Sequence, residues 1–147
     1  MKALVQRVNF SELRIDGEIF SKIGKGFLVL LGVEKGDTEK ELEYIENKVA
    51  NLRVFEDPDG KMNLALADIG GEMMIVSQFT LCADCSRGNR PSFINAEEPE
   101  KANAMYEKFI KNIQDRGINV ATGKFGTDMK IKFENDGPVT IMIESLK

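Results

Sequence analysis

Hydrophobic and polar residues alternate in the first part of the chain, a pattern of period two that is typical of half-buried strands. The alternation covers residues 2–8, 11–15 and 18–23, and the last two segments flank Asp16-Gly17, a dipeptide that favours a tight hairpin turn. Phe27–Val33 is instead a continuous apolar run. The pattern predicts a series of strands in which the run 27–33 is central and buried on both faces.

Two later segments show the 3.6-residue period of an amphipathic helix. We expect Asp37 to be the N-cap of the first helix, Pro99 to lie in the first turn of the second, and Gly117 to follow its end. The apolar stripes are Leu42, Ile45, Val49 and Leu52 in the first helix, and Ala102, Met105, Tyr106, Phe109, Ile110 and Ile113 in the second. We assign these side chains to the hydrophobic core.

Further strands are predicted at residues 73–79, 118–122, 128–134 and 138–144, with a turn at 57–60. The segment 135–137 reads Asn-Asp-Gly, which predicts a hairpin turn, yet Pro138 then opens the last strand without an N–H for its ladder. Taken together, the elements predict an α+β fold: a single domain over residues 1–147, with an antiparallel-rich, curled or barrel-like sheet and two packed helices.

Composition and charge narrow the classes of function. Hydrophobic residues make up 42% of the chain and charged residues 30%, as in ordinary globular proteins. There is no signal-peptide pattern, so we expect a cytoplasmic protein without a membrane partner. A net charge of −4 argues against a broad surface for nucleic acid, but not against a nucleic acid held only at its end. Arg87 and Arg90 form the most evident basic loop, whose simplest interpretation is a solvated surface.

The residues available for chemistry exclude several mechanisms. The chain has no histidine, hence no Ser-His-Asp triad and no imidazole ligand for a metal. Cys82 and Cys85 form a C-x-x-C, but it lies in a polar loop without a second ligand pair, so we interpret them as two unconnected cysteines. The glycines do not form a phosphate-binding motif. We expect no metal and no cofactor.

Two polar segments lie at the ends of apolar strands, Ser77-Gln78-Phe79-Thr80 and Gly137-Pro138-Val139-Thr140. Thr80 could be a nucleophile and Gln78 a donor to an oxyanion. Alternatively, these groups satisfy local backbone atoms at the strand ends. The residue types alone leave both interpretations open.

Motifs along the whole chain resemble those of the D-aminoacyl-tRNA deacylases. They are, in order, ALVQRV, LLGVEKGD, RVFEDPDGKMN, SQFTL, RGNRPSF, GKFGTDM and NDGPVT. The resemblance implies an enzyme that hydrolyses the ester between a D-amino acid and the 3′-terminal adenosine of tRNA, a chiral proofreading step in translation. Its partners would be the 3′ end of aminoacyl-tRNA and a second copy of the chain.

The resemblance also implies the roles of particular residues. The Gly137–Pro138 peptide bond would be cis and would enter the active site of the partner in a homodimer, where its carbonyl oxygens exclude L-amino acids but admit D-amino acids and glycine. Ser77, Gln78, Phe79 and Thr80 would line the opposite wall, with Phe79 acting through its backbone N–H. Met129 would lie close by, and Arg7 would hold the Gly-Pro loop.

Two questions remain open at this point. Hydrolysis can use the 2′-hydroxyl of the terminal ribose to direct water, which fits a chain without histidine, or it can use Thr80 as a covalent nucleophile. The chain can also be a non-catalytic, dimeric nucleic-acid-binding module of the same fold. The acidic pI near 5.0 favours the hydrolase, because a single tRNA end needs few phosphate contacts.

Overall fold

The structure, a computed structural model, describes residues 1–145. The strands are β1 (Lys2–Ile15), β2 (Glu18–Ile23), β3 (Gly26–Gly32), β4 (Phe55–Glu56), β5 (Met62–Leu64), β6 (Glu72–Ser77), β7 (Val120–Thr122) and β8 (Lys130–Glu144). The helices are α1 (Glu39–Ala50) and α2 (Pro99–Asp115), with short 3-10 turns at Leu66–Ile69 and Phe79–Cys82. None of the helices in residues 1–145 has the length and apolar character needed to cross a membrane.

The main sheet is mixed and curls into a barrel that is nearly closed. Its strand order is β2-β1-β3-β6-β7, and β8 pairs with the outer edge of β1. β1 is antiparallel to β2, β3 and β8, whereas the pairs β3–β6 and β6–β7 are parallel. The hydroxyl of Ser21 on β2 donates to the carbonyl of Thr122 on β7 at 2.7 Å, which brings the two ends of the sheet together. The predicted α+β class, curled sheet and two packed helices are confirmed.

The parallel pairs require crossovers, and the two helices supply them. α1 lies between β3 and β6 in the chain and α2 between β6 and β7, and the apolar stripes of both pack on the sheet. β3 is buried almost throughout, as its apolar run predicts. Phe27 and Phe55 stack in this core with their ring centroids 5.1 Å apart. A second cluster fills the barrel: Val8, Leu13, Ile23, Leu28, Met74 and Val76.

The turn at residues 16–17 is formed as predicted. Asp16 has φ +51° and Gly17 φ +80°, the pair of positive angles that joins twisted strands without splaying them. The segments 2–8 and 11–15 differ from the prediction, because they form the single strand β1. The ladder to β8 absorbs the interruption near residue 9 through register shifts.

The prediction that Asp37 caps α1 was wrong. The N-cap is Thr38, whose side chain accepts from the Lys40 N–H while Glu41 accepts from the Thr38 N–H, forming a capping box. The hydrogen bonds from Thr38 lower the pKa of Glu41 to about 2. Asp37 is buried and instead accepts from the Met1 ammonium at 2.9 Å and from the Glu34 N–H at 2.7 Å. A local sequence pattern cannot identify a partner 36 residues away.

The predicted hairpin turn at residues 135–137 was also wrong. β8 is one strand from Lys130 to Glu144, and it stays paired with β1 on both sides of Pro138. The paired positions are Gln6 with Thr140 and Val8 with Asn135, so β8 advances five residues where β1 advances two. The extra residues form a bulge. A residue in a bulge donates no N–H to the ladder, so a proline is tolerated there.

Strand β6 is shorter than predicted. It ends at Ser77, and the Gln78 N–H still donates to the Leu31 carbonyl at 2.8 Å. Phe79 then starts a 3-10 turn that runs to Cys82. The apolar pattern continues through Phe79 and Leu81, which explains why periodicity alone placed the strand end too late.

Candidate active site

The turn after β6 forms one wall of a cavity of about 660 Å³. Ser77, Gln78 and Phe79 line this wall, and the segment from Phe125 to Met129 lies on another side. The beginning of α2 and the residues just before it complete the lining. The cavity therefore opens at the carboxyl end of a parallel strand, the usual position of ligand sites in sheets of this kind.

The geometry of residues 77–80 results from the end of β6. Gln78 has φ −143° and ψ 83°, and its side chain makes no capping bond to the turn that follows. The first N–H groups of a helical turn have no partner inside the turn. In residues 1–145, the Phe79 N–H donates to no acceptor. A polar backbone donor is thus available at the lining of the cavity.

The hydroxyl of Thr80 is already engaged by a neighbour. The side-chain amide of Gln78 donates to Thr80 Oγ1 in a short hydrogen bond. An amide N–H cannot accept the hydroxyl proton, so this contact does not activate Thr80 as a nucleophile. The contact joins Thr80 to the cavity wall through Gln78.

One carboxylate in the cavity lining is also engaged. Glu97 lines the cavity and forms an ion pair with Lys101, with 2.9 Å between Oε2 and Nζ. The hydrogen bond from Lys101 and a second one from the Glu98 N–H lower the pKa of Glu97. Glu97 is therefore ionised at neutral pH and has little basicity to offer a reacting water.

An aromatic pair stands at the entrance of the cavity. The rings of Phe79 and Phe93 meet edge to face with centroids 5.1 Å apart. Phe79 is 56% exposed and Phe93 38% exposed, and both line the cavity. Exposed aromatic faces of this kind suit a flat ligand such as a nucleobase.

Two residues determine how Met129 and β6 are positioned: Gly123 leaves space for Met129, and Tyr106 binds β6. A Cβ on Gly123 would lie 2.5 Å from Met129 Sδ, so only glycine permits this position of Met129. Tyr106 on α2 donates from its hydroxyl to the Ile75 carbonyl at 2.7 Å. Burial raises the pKa of Tyr106 to about 12, which keeps the phenol protonated and fixes it as a structural donor.

Gly137, Pro138 and Arg7 lie at a different place. The Gly137–Pro138 peptide bond is cis, and both residues are exposed. Arg7 is buried beneath the bulge, where its Nε donates to the Asp136 carbonyl at 3.0 Å and its Nη1 to the Val54 carbonyl at 2.6 Å. Asn135 closes the bulge by accepting from the Val139 N–H at 2.8 Å.

The strand registers give the distance between the turn at 77–80 and Arg7, which lies beneath the Gly137–Pro138 bulge. Arg7 is paired with Phe27, and Phe27 with Met73, four residues before Ser77 on β6. Four strand residues span roughly 13 Å, and two strand spacings add a lateral separation of about 10 Å. The structure brings Ser77, Gln78, Phe79 and Met129 together, with Thr80 attached, but it does not bring Gly137, Pro138 or Arg7 to the same cavity.

Sequence reasoning missed several residues at the cavity. Tyr106 was assigned only to the core, and Phe93, Glu97 and Gly123 were not singled out. Phe93 lies within the RGNRPSF motif, which could have indicated it. The other three acquire their positions through partners that are distant in the sequence.

Comparison with known proteins gives the class to which this fold and cavity correspond. The family model described as D-Tyr-tRNA(Tyr) deacylase matches residues 4–144, and the chain belongs to that family. A D-aminoacyl-tRNA deacylase of Clostridium botulinum (strain 657 / Type Ba4) is 53% identical over 147 residues, covering all of this chain and 99% of the relative. One of Thermosipho melanesiensis is 54% identical over 148 residues, with the same coverage. The predicted family and the enzyme class, a deacylase, are confirmed.

Two solved structures are similar over nearly the full length. One, described as c-Myc DNA Unwinding Element Binding Protein, is 43% identical and has a TM-score of 0.95. The match covers 100% of both chains. The other, described as a probable eukaryotic D-amino acid tRNA deacylase, is 17% identical with a TM-score of 0.82, and the match covers 97% of this chain and 98% of that one. At that identity, the second structure supports the fold alone.

Proposed function

We propose that the protein hydrolyses the ester that joins a D-amino acid to the 3′-terminal adenosine of tRNA, and that it acts in the cytoplasm, where tRNA is charged. The observation that carries the proposal is the cavity at the turn 77–80, where the Phe79 N–H has no acceptor within residues 1–145, in a chain that has no histidine. The same residues in this family form the SQFT motif. A site of this kind suits a substrate that carries a hydroxyl beside its ester, because that hydroxyl can direct the water.

In this proposal the Phe79 N–H stabilises the oxyanion that develops on the ester carbonyl. The ribose 2′-hydroxyl, next to the ester, orients or activates the attacking water. Gln78 donates to Thr80 Oγ1, so the Thr80 hydroxyl is not used as a nucleophile in this proposal. Orientation and oxyanion stabilisation each contribute several kcal/mol to such reactions, which compensates for the lack of a protein base.

Gly137 and Pro138 serve in this proposal as the chirality filter. They are too far from the cavity of their own chain, but their exposed bulge is free to enter the cavity of a second copy. Backbone carbonyls placed against the α-amino group leave no room for an L side chain, whereas a D side chain or the hydrogen of glycine fits. Arg7 holds the bulge through the Asp136 carbonyl. The protein therefore acts as a homodimer with two composite sites.

A deacylation assay with matched tRNAs tests the function directly. We expect D-aminoacyl-tRNA to be hydrolysed, glycyl-tRNA to be hydrolysed as well, and the corresponding L-aminoacyl-tRNA to persist. The physical reason is exclusion, because the filter rejects a side chain by its position and not by its chemistry. Equal rates for the D and L forms of one amino acid would contradict the filter, and the absence of hydrolysis of any form would contradict the enzyme.

The source of the attacking water can be tested with a modified substrate. A tRNA that ends in 2′-deoxyadenosine should be deacylated about 10²-fold more slowly, because it lacks the hydroxyl that directs the water. Thr80→Ala should retain most of the activity on normal substrate, since its hydroxyl is bound to Gln78 and has no base. A covalent aminoacyl adduct on Thr80, trapped and detected by mass spectrometry, would contradict this mechanism.

A second candidate function is a non-catalytic nucleic-acid-binding module. It is favoured by one observation, the 43% identity to a structure described as a c-Myc DNA Unwinding Element Binding Protein. The net charge of −4 disfavours it, because duplex binding requires many Lys and Arg contacts. The deacylation assay separates the two functions, since a binding module would leave all aminoacyl-tRNAs intact.

A further inference from the structure

Residues 84–92 form a small arm that directly precedes Phe93 of the cavity lining. Its two ends are joined by a pair of backbone hydrogen bonds, from the Asp84 N–H to the Ser92 carbonyl at 2.8 Å and from the Ser92 N–H to the Asp84 carbonyl at 2.9 Å. The Asp84 carboxylate accepts from the Ser86 N–H at 2.9 Å and shapes the first turn of the arm. All residues of the arm are exposed. The arm is thus an ordered projection with a defined base.

The arm is attached directly to the cavity wall on both sides. Before it, the chain passes through the 3-10 turn that begins at Phe79, and after it comes Phe93. These two aromatic residues line the cavity and contact one another. After Phe93, the chain is fixed to the strand end of β3, since the Lys35 N–H donates to the Asn95 carbonyl and the Glu97 N–H to the Val33 carbonyl. A ligand that extends out of the cavity past the aromatic pair meets the arm.

The arm carries two arginines that the rest of the chain does not neutralise. Among residues 1–145, neither Arg87 nor Arg90 takes part in an ion pair or a side-chain hydrogen bond. Of the carboxylates nearby, Asp84 accepts hydrogen bonds from Ser86, which lower its pKa, and Glu97 is paired with Lys101. In a chain with a net charge of −4, two free guanidinium groups at the rim of a cavity form a local positive site.

We propose that Arg87 and Arg90 bind the phosphates of the single-stranded 3′ end of tRNA, beside the aminoacylated nucleotide that occupies the cavity. This rests on the proposed function. In this proposal the cavity holds the amino acid and its adenosine, and the preceding nucleotides leave past Phe93, the lining residue that directly follows the arm. Guanidinium groups form bidentate hydrogen bonds with phosphate oxygens, and an aromatic wall with flanking arginines is the usual combination for single-stranded nucleic acid.

The proposal predicts that kcat/KM for D-aminoacyl-tRNA falls as salt rises, and that the arginines of the arm cause part of this fall. Each phosphate contact on a single strand contributes about 0.7 to the slope of log affinity against log salt, so two contacts contribute about 1.4. When salt rises from 50 to 200 mM, kcat/KM for D-aminoacyl-tRNA should fall about sevenfold more in the natural protein than in Arg87→Gln/Arg90→Gln. The loss should appear in KM and not in kcat, because the arm does not touch the ester.

Two controls separate the arm from general effects of charge. Hydrolysis of D-aminoacyl-adenosine, which has no phosphate, should be equal in the natural protein and the double variant. Lys111→Gln removes one charge from α2 at a position whose side chain is 73% exposed, nine residues beyond Ala102 of the cavity and so roughly 14 Å along the helix. This variant should keep the natural salt slope.

The outcomes distinguish this proposal from the function on which it rests. If the natural protein hydrolyses D-aminoacyl-adenosine and D-aminoacyl-tRNA but the double variant keeps the natural salt slope, the arm is only a solvated loop and the proposal is wrong. If Lys111→Gln changes the slope as much as the arm variant, the effect is one of net charge and the proposal is equally wrong. If neither substrate is hydrolysed, the proposed function fails and the arm proposal fails with it.

Discussion

Gly137→Ala should lower kcat/KM for D-aminoacyl-tRNA by about two orders of magnitude while the protein remains folded. Gly137 has φ +133°, a conformation that side chains rarely permit. A Cβ there would lie 2.8 Å from Val139 Cγ2, 3.0 Å from Val139 N and 3.1 Å from Arg7 Nη2. Arg7 cannot withdraw easily, because it is buried and bound to the Val54 carbonyl. The bulge must therefore shift, and the proposed filter shifts with it.

The loss should be similar for D-aminoacyl-tRNA and glycyl-tRNA, since both place an α-amino group against the bulge. Activity on L-aminoacyl-tRNA should not rise, because added atoms cannot enlarge an excluding wall. The stability cost should be about 1–3 kcal/mol, as expected for a residue held in an unfavourable backbone region, and the thermal midpoint measures it. Near-normal activity on D-aminoacyl-tRNA in a folded Gly137→Ala protein would contradict the role of the bulge.

Gly60→Ala provides a matched control for this experiment. Gly60 also has a positive φ, +77°, but a Cβ there would meet no atom within 4 Å. It lies in the turn between β4 and β5 and is not among the described residues that line the cavity. The control therefore also places a Cβ on a residue with positive φ, but without the steric conflict, and it should keep normal kinetics.

Phe79→Pro should lower kcat by about 10²–10³, because proline removes the N–H that we propose as the oxyanion donor. The substitution suits the local backbone, since Phe79 is the first residue of a 3-10 turn, where proline is tolerated and the lost N–H has no partner inside the turn. Phe79→Ala is the control: it removes the ring but keeps the N–H. The proline variant should lose kcat, whereas the alanine variant should lose mainly binding.

The comparison of the two Phe79 variants identifies which part of the residue acts. If Phe79→Ala loses as much kcat as Phe79→Pro, the ring is responsible and the backbone donor is not. Thermal midpoints of both variants show whether the turn is intact. A loss confined to Phe79→Pro, at an unchanged midpoint, is the result that supports the oxyanion role.

A mixture of the Gly137→Ala and Phe79→Pro chains extends the Gly137 test to the assembly. If each site combines the cavity of one chain with the bulge of the other, a mixed dimer has one site in which both parts are natural. Random exchange of subunits should then restore about one quarter of the natural activity, because half of the dimers are mixed and each has one of two sites intact. If the bulge acts within its own chain, the mixture stays as inactive as its components.

The candidate site was predictable only in part from the residue types. The Ser77–Thr80 segment drew attention because polar residues follow an apolar strand, but the hydrogen bond between Gln78 and Thr80 is known only from the structure. The roles of Met129 and Arg7 came from the resemblance to a family and not from local pattern. The structure places Met129 at the cavity and Arg7 under the bulge, while their roles, the chirality filter and the homodimer remain proposals.

The sequence by itself determined the elements whose signals are local. The apolar run at 27–33, the period of the two helices and the turn at Asp16-Gly17 depend on neighbours within a few residues, and each forms nearly as predicted. The tertiary structure decided whatever depends on distant partners. Asp37 binds the Met1 ammonium instead of capping α1, because a buried cation needs a carboxylate more than an exposed helix end does. Residues 130–144 form one strand because β1 is long enough to pair on both sides of the bulge. Pairing between residues more than a hundred positions apart leaves no local pattern, and so the Gly-Pro motif could be recognised in the sequence but not placed by it.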